Sequence, residues 1–341
     1  MYKIAIVGAS TLLGKELKDA LSESSLAAAD VSLLDEGEGL GQLDQMGDEI
    51  TFVQAVEQDS FEHVDFTFFC GSESLTRKHW REALRAGSSV LDLSGALDTE
   101  NGVLVRSPWL EAQEATADLF TPAVVPANPA ALALALLMER VQQAAPVRLA
   151  AATVLLPASE FGRAAMDELH QQTVNLLSFQ SLPKATFDAQ SAYNLLCGFG
   201  ENAKASVGLI DARIRRQYSA LGGRRLPLVA IQTISAPVFH GHSFSIFIEL
   251  ERPVDLSTLE EALNGEHVDL VLEETDSPSN LAATGQNDVL ARLRLEPGAR
   301  NANESQRVWL WGASDNLRLH AQNAVACALD LRRLRPQGTV Q

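Results

Sequence analysis

Short apolar runs alternate with amphipathic segments through the first third of the chain. Lys3–Val7 is an apolar run of strand length, and Leu12–Ser22 has the spacing of an amphipathic helix. The same alternation predicts five more strands and one helix: Val31–Leu34, Phe52–Val56, Phe66–Cys70, the helix Thr76–Ala86, Ser89–Leu93 and Val124–Pro126. Because strands that alternate with helices pair in parallel, this part is expected to be a Rossmann-type, doubly wound α/β domain.

The pattern changes after Asn128. An apolar helix is predicted over Pro129–Gln143, with Asn128 as its N-cap and Pro129 as its first helical residue. Longer β runs and separate helices follow: Val147–Leu156, the helix Arg163–Leu177, the helix Ser206–Leu221, Leu228–Ser235, Ser243–Leu250, the helix Leu256–Leu263, Val289–Arg294 and Arg307–Gly312. They predict an α+β domain with a mixed sheet over residues 129–313. Residues 1–128 are expected to form the first domain, completed by a C-terminal helix within 314–341.

The strand, turn and helix at the N-terminus are typical of a dinucleotide-binding unit. Gly8 and Gly14 occupy the outer positions of the usual three-glycine pattern, where they serve the turn and the packing of helix on strand. Thr11 stands near the middle position, where it adds a side chain on the phosphate side but also offers a hydroxyl. The candidate cofactor ligands of this turn are Gly8, Ser10, Thr11, Leu12 and Leu13.

Acidic residues follow the second predicted strand. Asp35 is placed to accept hydrogen bonds from the ribose hydroxyls of NAD. Asp35 and Glu36 would repel the 2′-phosphate of NADP, and no Arg or Lys stands nearby in the sequence. NAD is therefore the expected cofactor and NADP is disfavoured. A solvated acidic turn, with no cofactor bound, explains the same residues equally well.

Charge and cysteine content limit the remaining classes of function. The 341 residues carry a formal charge of −17, which argues against binding to nucleic acid or to an anionic membrane. The longest apolar run, near Ala130–Met138, is too short to span a bilayer. Three widely spaced cysteines and the absence of a signal-peptide pattern predict a cytoplasmic protein.

Two candidate reactive groups have plainer explanations. Cys70 ends a predicted strand where such folds bind ligands, but a small half-buried strand residue explains it better than a nucleophile. His240 and His242 stand two apart on a β segment, and no third ligand accompanies them at a fixed spacing. No metal site is predicted.

Six segments, in order, carry a resemblance to one family: VGASTLLG at Val7–Gly14, ANPAALALALL at Ala127–Leu137, ASEFGRAAMDEL at Ala158–Leu169, AYNLL at Ala192–Leu196, ISAPVFHGHS at Ile234–Ser243 and SDNLRLHAQNAVA at Ser314–Ala326. The chain resembles aspartate-semialdehyde dehydrogenases over nearly its whole length and is similar to the Usg-type proteins grouped with them. The resemblance implies a dinucleotide-binding domain and a second domain through which a homodimer forms. It also places Asn316 in a segment that helps close the cofactor site.

Enzymes of this family act in amino-acid biosynthesis and reduce aspartyl phosphate with NADPH through a thioester on a cysteine. The resemblance places Ala131 at that cysteine and Leu156 at the glutamine that orients the acyl group. It places Ser235 at the arginine that binds the substrate carboxylate, and Asp98 at the arginine that binds the acyl-phosphate end. His242 alone keeps the acid/base position. A methyl group cannot attack an acyl phosphate.

Three hypotheses follow from these residues. The first is a non-catalytic homologue that keeps the fold, dimerises and still binds NAD. The second is an active NAD(P)-dependent oxidoreductase, acting on an aldehyde or acyl-phosphate substrate by chemistry that needs no thiolate. The third is a partner subunit that pairs with an active relative or another enzyme.

Overall fold

A computed structural model of the chain describes residues 1–46, 49–57, 59–111, 113, 115–223, 225–272, 277–296 and 304–334. Within them lie fifteen strands: β1 (Lys3–Val7), β2 (Asp30–Asp35), β3 (Leu43–Met46), β4 (Glu49–Phe52), β5 (Gln54–Ala55), β6 (Phe66–Phe69), β7 (Ser89–Asp92), β8 (Leu104–Arg106), β9 (Val124–Pro126), β10 (Val147–Leu156), β11 (Val229–Ser235), β12 (His242–Asp255), β13 (Val268–Leu270), β14 (Val289–Leu295) and β15 (Glu304–Ser314). Eight α-helices accompany them: α1 (Leu12–Ser22), α2 (Glu73–Arg85), α3 (Pro129–Ala144), α4 (Arg163–Leu177), α5 (Val207–Gly222), α6 (Leu256–Leu263), α7 (Asn280–Ala283) and α8 (Asn316–Leu331).

The chain divides into two compact units. The first unit is Met1–Asn128 together with the chain from His320 onward, and the second is Pro129–Leu319. The sequence also assigns residues 335–341 to the first domain, as the end of its C-terminal segment, but these residues lie outside the described ones. None of the helices in the described part of the chain has the length and apolar character needed to cross a bilayer.

The first unit is built on a seven-stranded sheet in the order β5-β2-β1-β6-β7-β9-β8. All of its strand pairs are parallel. From β1 the chain runs outward to β2 and β5, then crosses to β6 on the other side of β1. This reversal creates a crevice beyond the carboxyl ends of β1 and β6, where doubly wound folds bind ligands. The predicted Rossmann-type α/β architecture is confirmed.

The second unit is built on a six-stranded sheet in the order β11-β10-β12-β15-β14-β13. Its strand pairs are mixed: β10 is parallel to β11 and antiparallel to β12, and β12 and β14 are both antiparallel to β15. Along the first half of β12, buried residues alternate with partly exposed ones. This period of two buries one face of the sheet and leaves the other partly open. The predicted mixed sheet is confirmed.

Helix α3 is the most buried helix of the second unit. Its apolar residues surround the whole helix, and twelve of its sixteen residues are buried. It packs against α5, α6 and β10. A helix that is apolar on all sides is stable only inside a core, so its first turn has a fixed position in the second unit.

Several predicted elements differ from the structure, and β12 and β15, for example, extend beyond the predicted Ser243–Leu250 and Arg307–Gly312. Helix α2 begins three residues earlier than predicted, at Glu73, because the Ser72 hydroxyl accepts a hydrogen bond from Leu75 N at 3.2 Å and caps the helix. The predicted strand Phe52–Val56 is wrong. Phe52 ends β4, which pairs with β3 in a separate ribbon, and Gln54–Ala55 pairs with β2 as the edge of the first sheet.

Candidate functional site

The turn after β1 is held by close backbone contacts that only glycine permits. Gly8 has a φ of +87°, and a Cβ on it would lie 2.3 Å from the backbone nitrogen of Gly71. A Cβ on Gly14 would lie 2.4 Å from the carbonyl oxygen of Gly8. The two outer glycines therefore serve the turn and the packing of α1, as their positions in the pattern predict.

Thr11 caps α1, and its hydroxyl is engaged within the protein. The Oγ1 atom accepts a hydrogen bond from Gly14 N at 3.0 Å. The same hydroxyl is also a donor, with the carbonyl oxygen of Gly8 at 2.8 Å and that of Cys70 at 3.1 Å as its two possible acceptors. One hydroxyl proton cannot serve these carbonyls and a phosphate together, so this hydroxyl is a poor phosphate donor.

The backbone of the same turn fits a phosphate better than the Thr11 side chain does. Leu12 and Leu13 begin α1, and the first N–H groups of a helix have no acceptor within that helix. These N–H groups and the positive end of the helix dipole form a suitable environment for an anion. The predicted role of Leu12 and Leu13 as cofactor ligands thus rests on their backbone atoms.

The carboxylate of Asp35 binds the glycine turn of its own chain. Its Oδ2 atom accepts hydrogen bonds from Ser10 N at 3.0 Å and from the Ser10 hydroxyl, and its Oδ1 atom accepts one from Glu36 N at 2.8 Å. Asp35 is only 6% exposed. Most of its acceptor capacity is used inside the protein. Asp35 and Ser10 therefore order the turn, and their contact with a cofactor stays a prediction.

Glu36 meets two basic side chains of α2. Its Oε1 atom lies 2.6 Å from Lys78 Nζ and 3.1 Å from His79 Nε2. Hydrogen bonds from Lys78 and then from His79 hold the pKa of Glu36 below its ordinary value. The expectation that no lysine lies near the acidic segment is wrong, because α2 brings Lys78 across from a distant part of the sequence.

These groups surround a pocket of about 340 Å³ in the first unit. Its wall includes the N-caps of α1 and α2, the acidic segment at the end of β2 and two residues of α2: Thr11, Ser72, Asp35, Glu36, Ser74 and Lys78. Two helix N-termini and a lysine offer positive potential, while Glu36 supplies a negative group at the same wall. The pocket has the size and the mixed polarity of a small-molecule site.

Cys70 lies beside this turn but has no nucleophilic character. It directly follows β6 and is buried. Burial raises the pKa of its thiol, and the nearby carboxylates of Asp92 and Asp35 raise it further. Thiols react as thiolates, so the interpretation of Cys70 as a structural residue agrees with its surroundings.

In the second unit, one end of the sheet collects several of the predicted site positions. Leu156 ends β10 and Ser235 ends β11, and the two residues are partners in the parallel register. His242 begins β12, whose next residue, Ser243, is paired with Leu155. Leu156, Ser235 and His242 are all at most 2% exposed. The two positions that the resemblance assigns to substrate recognition are thus neighbours on adjacent strands.

His242 faces an acidic side chain that the sequence alone did not identify as part of the site. Its Nε2 atom lies 3.1 Å from Oε2 of Glu160, which belongs to a 3-10 turn at Ala158–Phe161. The angles at this contact do not meet hydrogen-bond geometry, and the ring nitrogens have no other hydrogen-bond partner in the described residues. The contact is therefore a close approach of the two side chains and not a hydrogen bond. The only sequence signal for Glu160 is a carboxylate in the turn directly after a predicted strand.

Asn316 holds two segments of the second unit together. Its Oδ1 atom accepts hydrogen bonds from the Ser159 hydroxyl and from Gly241 N, both at 3.1 Å. Asp315 caps α8 beside it, accepting from Leu317 N and Arg318 N at 3.0 Å. Asn316 thereby fixes the residues that flank Glu160 and His242. Its predicted contact with a cofactor stays a prediction.

Ala131 lies in the first turn of α3 and is fully buried.

His240 and His242 have different environments, since His240 is partly exposed and His242 is not exposed at all. Within the residues that the structure describes, no three His, Cys, Asp or Glu side chains are grouped so as to hold a metal ion.

Sequence models of known families match both units. A model described as the NAD binding domain of semialdehyde dehydrogenase matches residues 3–134, and one described as its dimerisation domain matches residues 140–319. A USG-1 protein homolog of Pseudomonas aeruginosa is 32% identical over 329 residues, covering 94% of this chain and 95% of its own. The aspartate-semialdehyde dehydrogenase of Rickettsia bellii is 25% identical over 337 residues, covering 97% of each chain.

Solved structures give the same result. The structure of a probable aspartate-semialdehyde dehydrogenase from Pseudomonas aeruginosa superimposes with a TM-score of 0.87 at 29% identity, covering 98% of this chain and 99% of that one. The chain therefore belongs to the aspartate-semialdehyde dehydrogenase family, with its NAD-binding and dimerisation domains.

Proposed function

We propose that this chain is a dinucleotide-binding homodimer that does not catalyse the thioester reaction of its family. The observation that carries the proposal is Ala131. The resemblance assigns this position in the first turn of α3 to the nucleophile, and its side chain is a buried methyl group. Without a thiolate, no acyl group can be held covalently at this position.

The surrounding positions support the same conclusion. Leu156 replaces an amide that would orient the acyl group, and Ser235, its register partner, replaces a cation that would bind the substrate carboxylate. Asp98 puts a negative charge where the acyl-phosphate end requires a positive one. Four changes at positions of one reaction are a stronger argument than the loss of a single residue.

The glycine turn and the pocket beside it support continued binding of a dinucleotide. The turn keeps its tight geometry at Gly8, and Leu12 and Leu13 present helix N-terminal N–H groups. We propose NAD as the preferred cofactor, because Glu36 places a negative charge at the pocket wall. The free thiols Cys70, Cys197 and Cys327 support a cytoplasmic location in this proposal.

The proposal is tested with purified protein, aspartate semialdehyde, phosphate and either NAD or NADP. The expected result is no reduced cofactor, measured by its absorbance, under conditions in which a cysteine-containing relative turns over. Calorimetric titration of the same sample with NAD is expected to show binding. Turnover comparable to that of the relative would contradict the catalytic part of the proposal, and no binding of either dinucleotide would contradict the cofactor part.

The contact between His242 and Glu160 favours a second candidate, an active NAD-linked oxidoreductase that needs no thiolate. An imidazole beside a carboxylate can accept and return a proton during hydride transfer to or from an aldehyde. This candidate requires loss of turnover in His242→Gln for at least one aldehyde that the wild-type protein oxidises or reduces. A panel of small aldehydes with NAD tests it.

A further inference from the structure

The acidic segment at the end of β2, Asp35 and Glu36, contains two carboxylates with different partners. The carboxylate of Asp35 is held by Ser10 and by the backbone of Glu36, and it is nearly buried. The side chain of Glu36 is 42% exposed and lies at the wall of the 340 Å³ pocket. Of these two acids, Glu36 is the one that can respond to a bound molecule.

The partners of Glu36 have the chemistry of a phosphate site. Lys78 carries a full positive charge on a flexible stem, and its Nζ atom lies 2.6 Å from Glu36 Oε1. His79 presents Nε2 to the same oxygen at 3.1 Å, while its Nδ1 lies 2.8 Å from Glu82. A single carboxylate oxygen thus occupies the point toward which a lysine and a histidine converge.

We propose that Glu36 is an internal anion that occupies the place where Lys78 and His79 would bind the 2′-phosphate of NADP, and so sets the preference for NAD. This inference rests on the proposed function, since it requires that the pocket beside the glycine turn bind a dinucleotide. A ribose 2′-hydroxyl can approach the Glu36 carboxylate as a donor. A 2′-phosphate is repelled by Glu36 and finds its receptor cation already neutralised.

The decisive variant is Glu36→Gln, which removes the charge with little change in shape. Removal of the charge frees Lys78 for a phosphate, so NADP affinity is expected to rise by about tenfold or more, the value of one charge-assisted hydrogen bond. Affinity for NAD is expected to stay level or fall. Glu100→Gln is the matched control. Glu100 pairs with Arg77 and Arg81 of the same helix, and its substitution removes one negative charge outside the pocket, as Glu36→Gln does inside it.

The double variant Glu36→Gln/Lys78→Gln tests whether Lys78 is the group that binds the 2′-phosphate. It is expected to lose the gain in NADP affinity while NAD affinity stays near that of Glu36→Gln. Calorimetric titration measures the affinities of wild type, Glu36→Gln, Glu100→Gln and the double variant for NAD and for NADP. Adenosine 2′,5′-bisphosphate and AMP are fragment probes that differ in the 2′-phosphate alone.

The outcomes separate the two proposals. Wild-type protein that binds NAD, with no gain in NADP affinity in Glu36→Gln, overturns the role of Glu36 and leaves dinucleotide binding standing. A gain that persists in the double variant, or that Glu100→Gln reproduces, also overturns it. If no protein binds either dinucleotide or either fragment, the cofactor part of the proposed function fails, and this inference fails with it.

Discussion

Nε2 of His242 lies 3.1 Å from Oε2 of Glu160, and the histidine is completely buried. Glu160 stands in the short turn after β10, and that turn is anchored by hydrogen bonds from Ala158 N and Ser159 N to the carbonyls of Val238 and Phe239. The carboxylate thus lies directly beside the Nε2 atom of the imidazole. If the chain is non-catalytic, as we propose, this contact gives the retained histidine a structural role beside Leu156 and Ser235.

Glu160→Ala is expected to lower the free energy of unfolding by about 1–3 kcal/mol, because it removes a nearly buried side chain that contacts the imidazole and leaves a cavity beside the ring. Arg163→Ala is the control. It breaks an exposed pair with Asp167 in the adjacent helix and is expected to cost less than about 1 kcal/mol. Urea unfolding followed by circular dichroism measures both variants. Equal effects of the two substitutions would show that the buried contact contributes nothing.

The regular elements were predictable wherever hydrophobic periodicity and end signals agree. Strands β1 and β10 and helices α1, α4 and α6 have the predicted bounds. Strands β8 and β13 were not predicted, because each has only three residues and one of the three is charged, whereas the equally short β9 is wholly apolar. The run Phe52–Val56 was misassigned because its residues belong to two different sheets. The division between the sheets depends on pairing with distant strands, which the local pattern does not show.

The candidate site was predictable as far as backbone geometry fixes it. Gly8 and Gly14 could be interpreted from spacing alone, because backbone contact leaves no space for a Cβ. The hydrogen-bond partners of Asp35 and Glu36 could not be predicted from spacing. Ser10 is 25 positions from Asp35, and Lys78 is 42 positions from Glu36. Which of two adjacent carboxylates faces inward depends on those distant partners.

Ala131→Cys is expected to restore neither a reactive thiol nor turnover. The side chain would be buried in the first turn of α3, and burial opposes the thiolate that a helix N-terminus favours, as the raised pKa values of Cys70 and Cys327 illustrate. The positions that the resemblance assigns to acyl orientation and carboxylate binding would still be Leu156 and Ser235.

Alkylation with iodoacetamide followed by mass spectrometry measures the new thiol of Ala131→Cys against an internal reference. Cys197 is exposed and is expected to be labelled rapidly in both proteins. Rapid labelling of residue 131, together with reduction of NAD or NADP in the presence of aspartate semialdehyde and phosphate, would contradict this prediction.

The stabilising effect of Glu36 is expected to depend on pH in one direction. Its pKa in the folded protein lies below the ordinary value of 4.5, because Lys78 and His79 donate hydrogen bonds to the ionised form. A depressed pKa means that the stabilisation is present above the unfolded value and is lost as the pH falls through the folded value. The difference in melting temperature between wild type and Glu36→Gln should therefore shrink as the pH falls below 4.5. A difference that grows on acidification would refute this assignment.

The partly open face of the second sheet is the surface expected to form the homodimer. Phe247 of β12 and Trp309 of β15 are register partners whose ring centroids lie 5.2 Å apart, and both side chains are only partly buried in the single chain. Paired aromatic residues on an open sheet face are typical anchors of an interface. Trp309→Glu would place a charge in that interface and should raise the dimer dissociation constant by about tenfold or more.

Sedimentation velocity over a range of concentrations measures the dissociation, and circular dichroism checks that Trp309→Glu keeps its secondary structure. Leu209→Glu is the matched control, because Leu209 is 70% exposed on α5 and receives the same charge. The dimer should weaken in Trp309→Glu and remain unchanged in Leu209→Glu. A dimer unaffected by Trp309→Glu would exclude this face as the interface, and dissociation in Leu209→Glu would point to α5 instead.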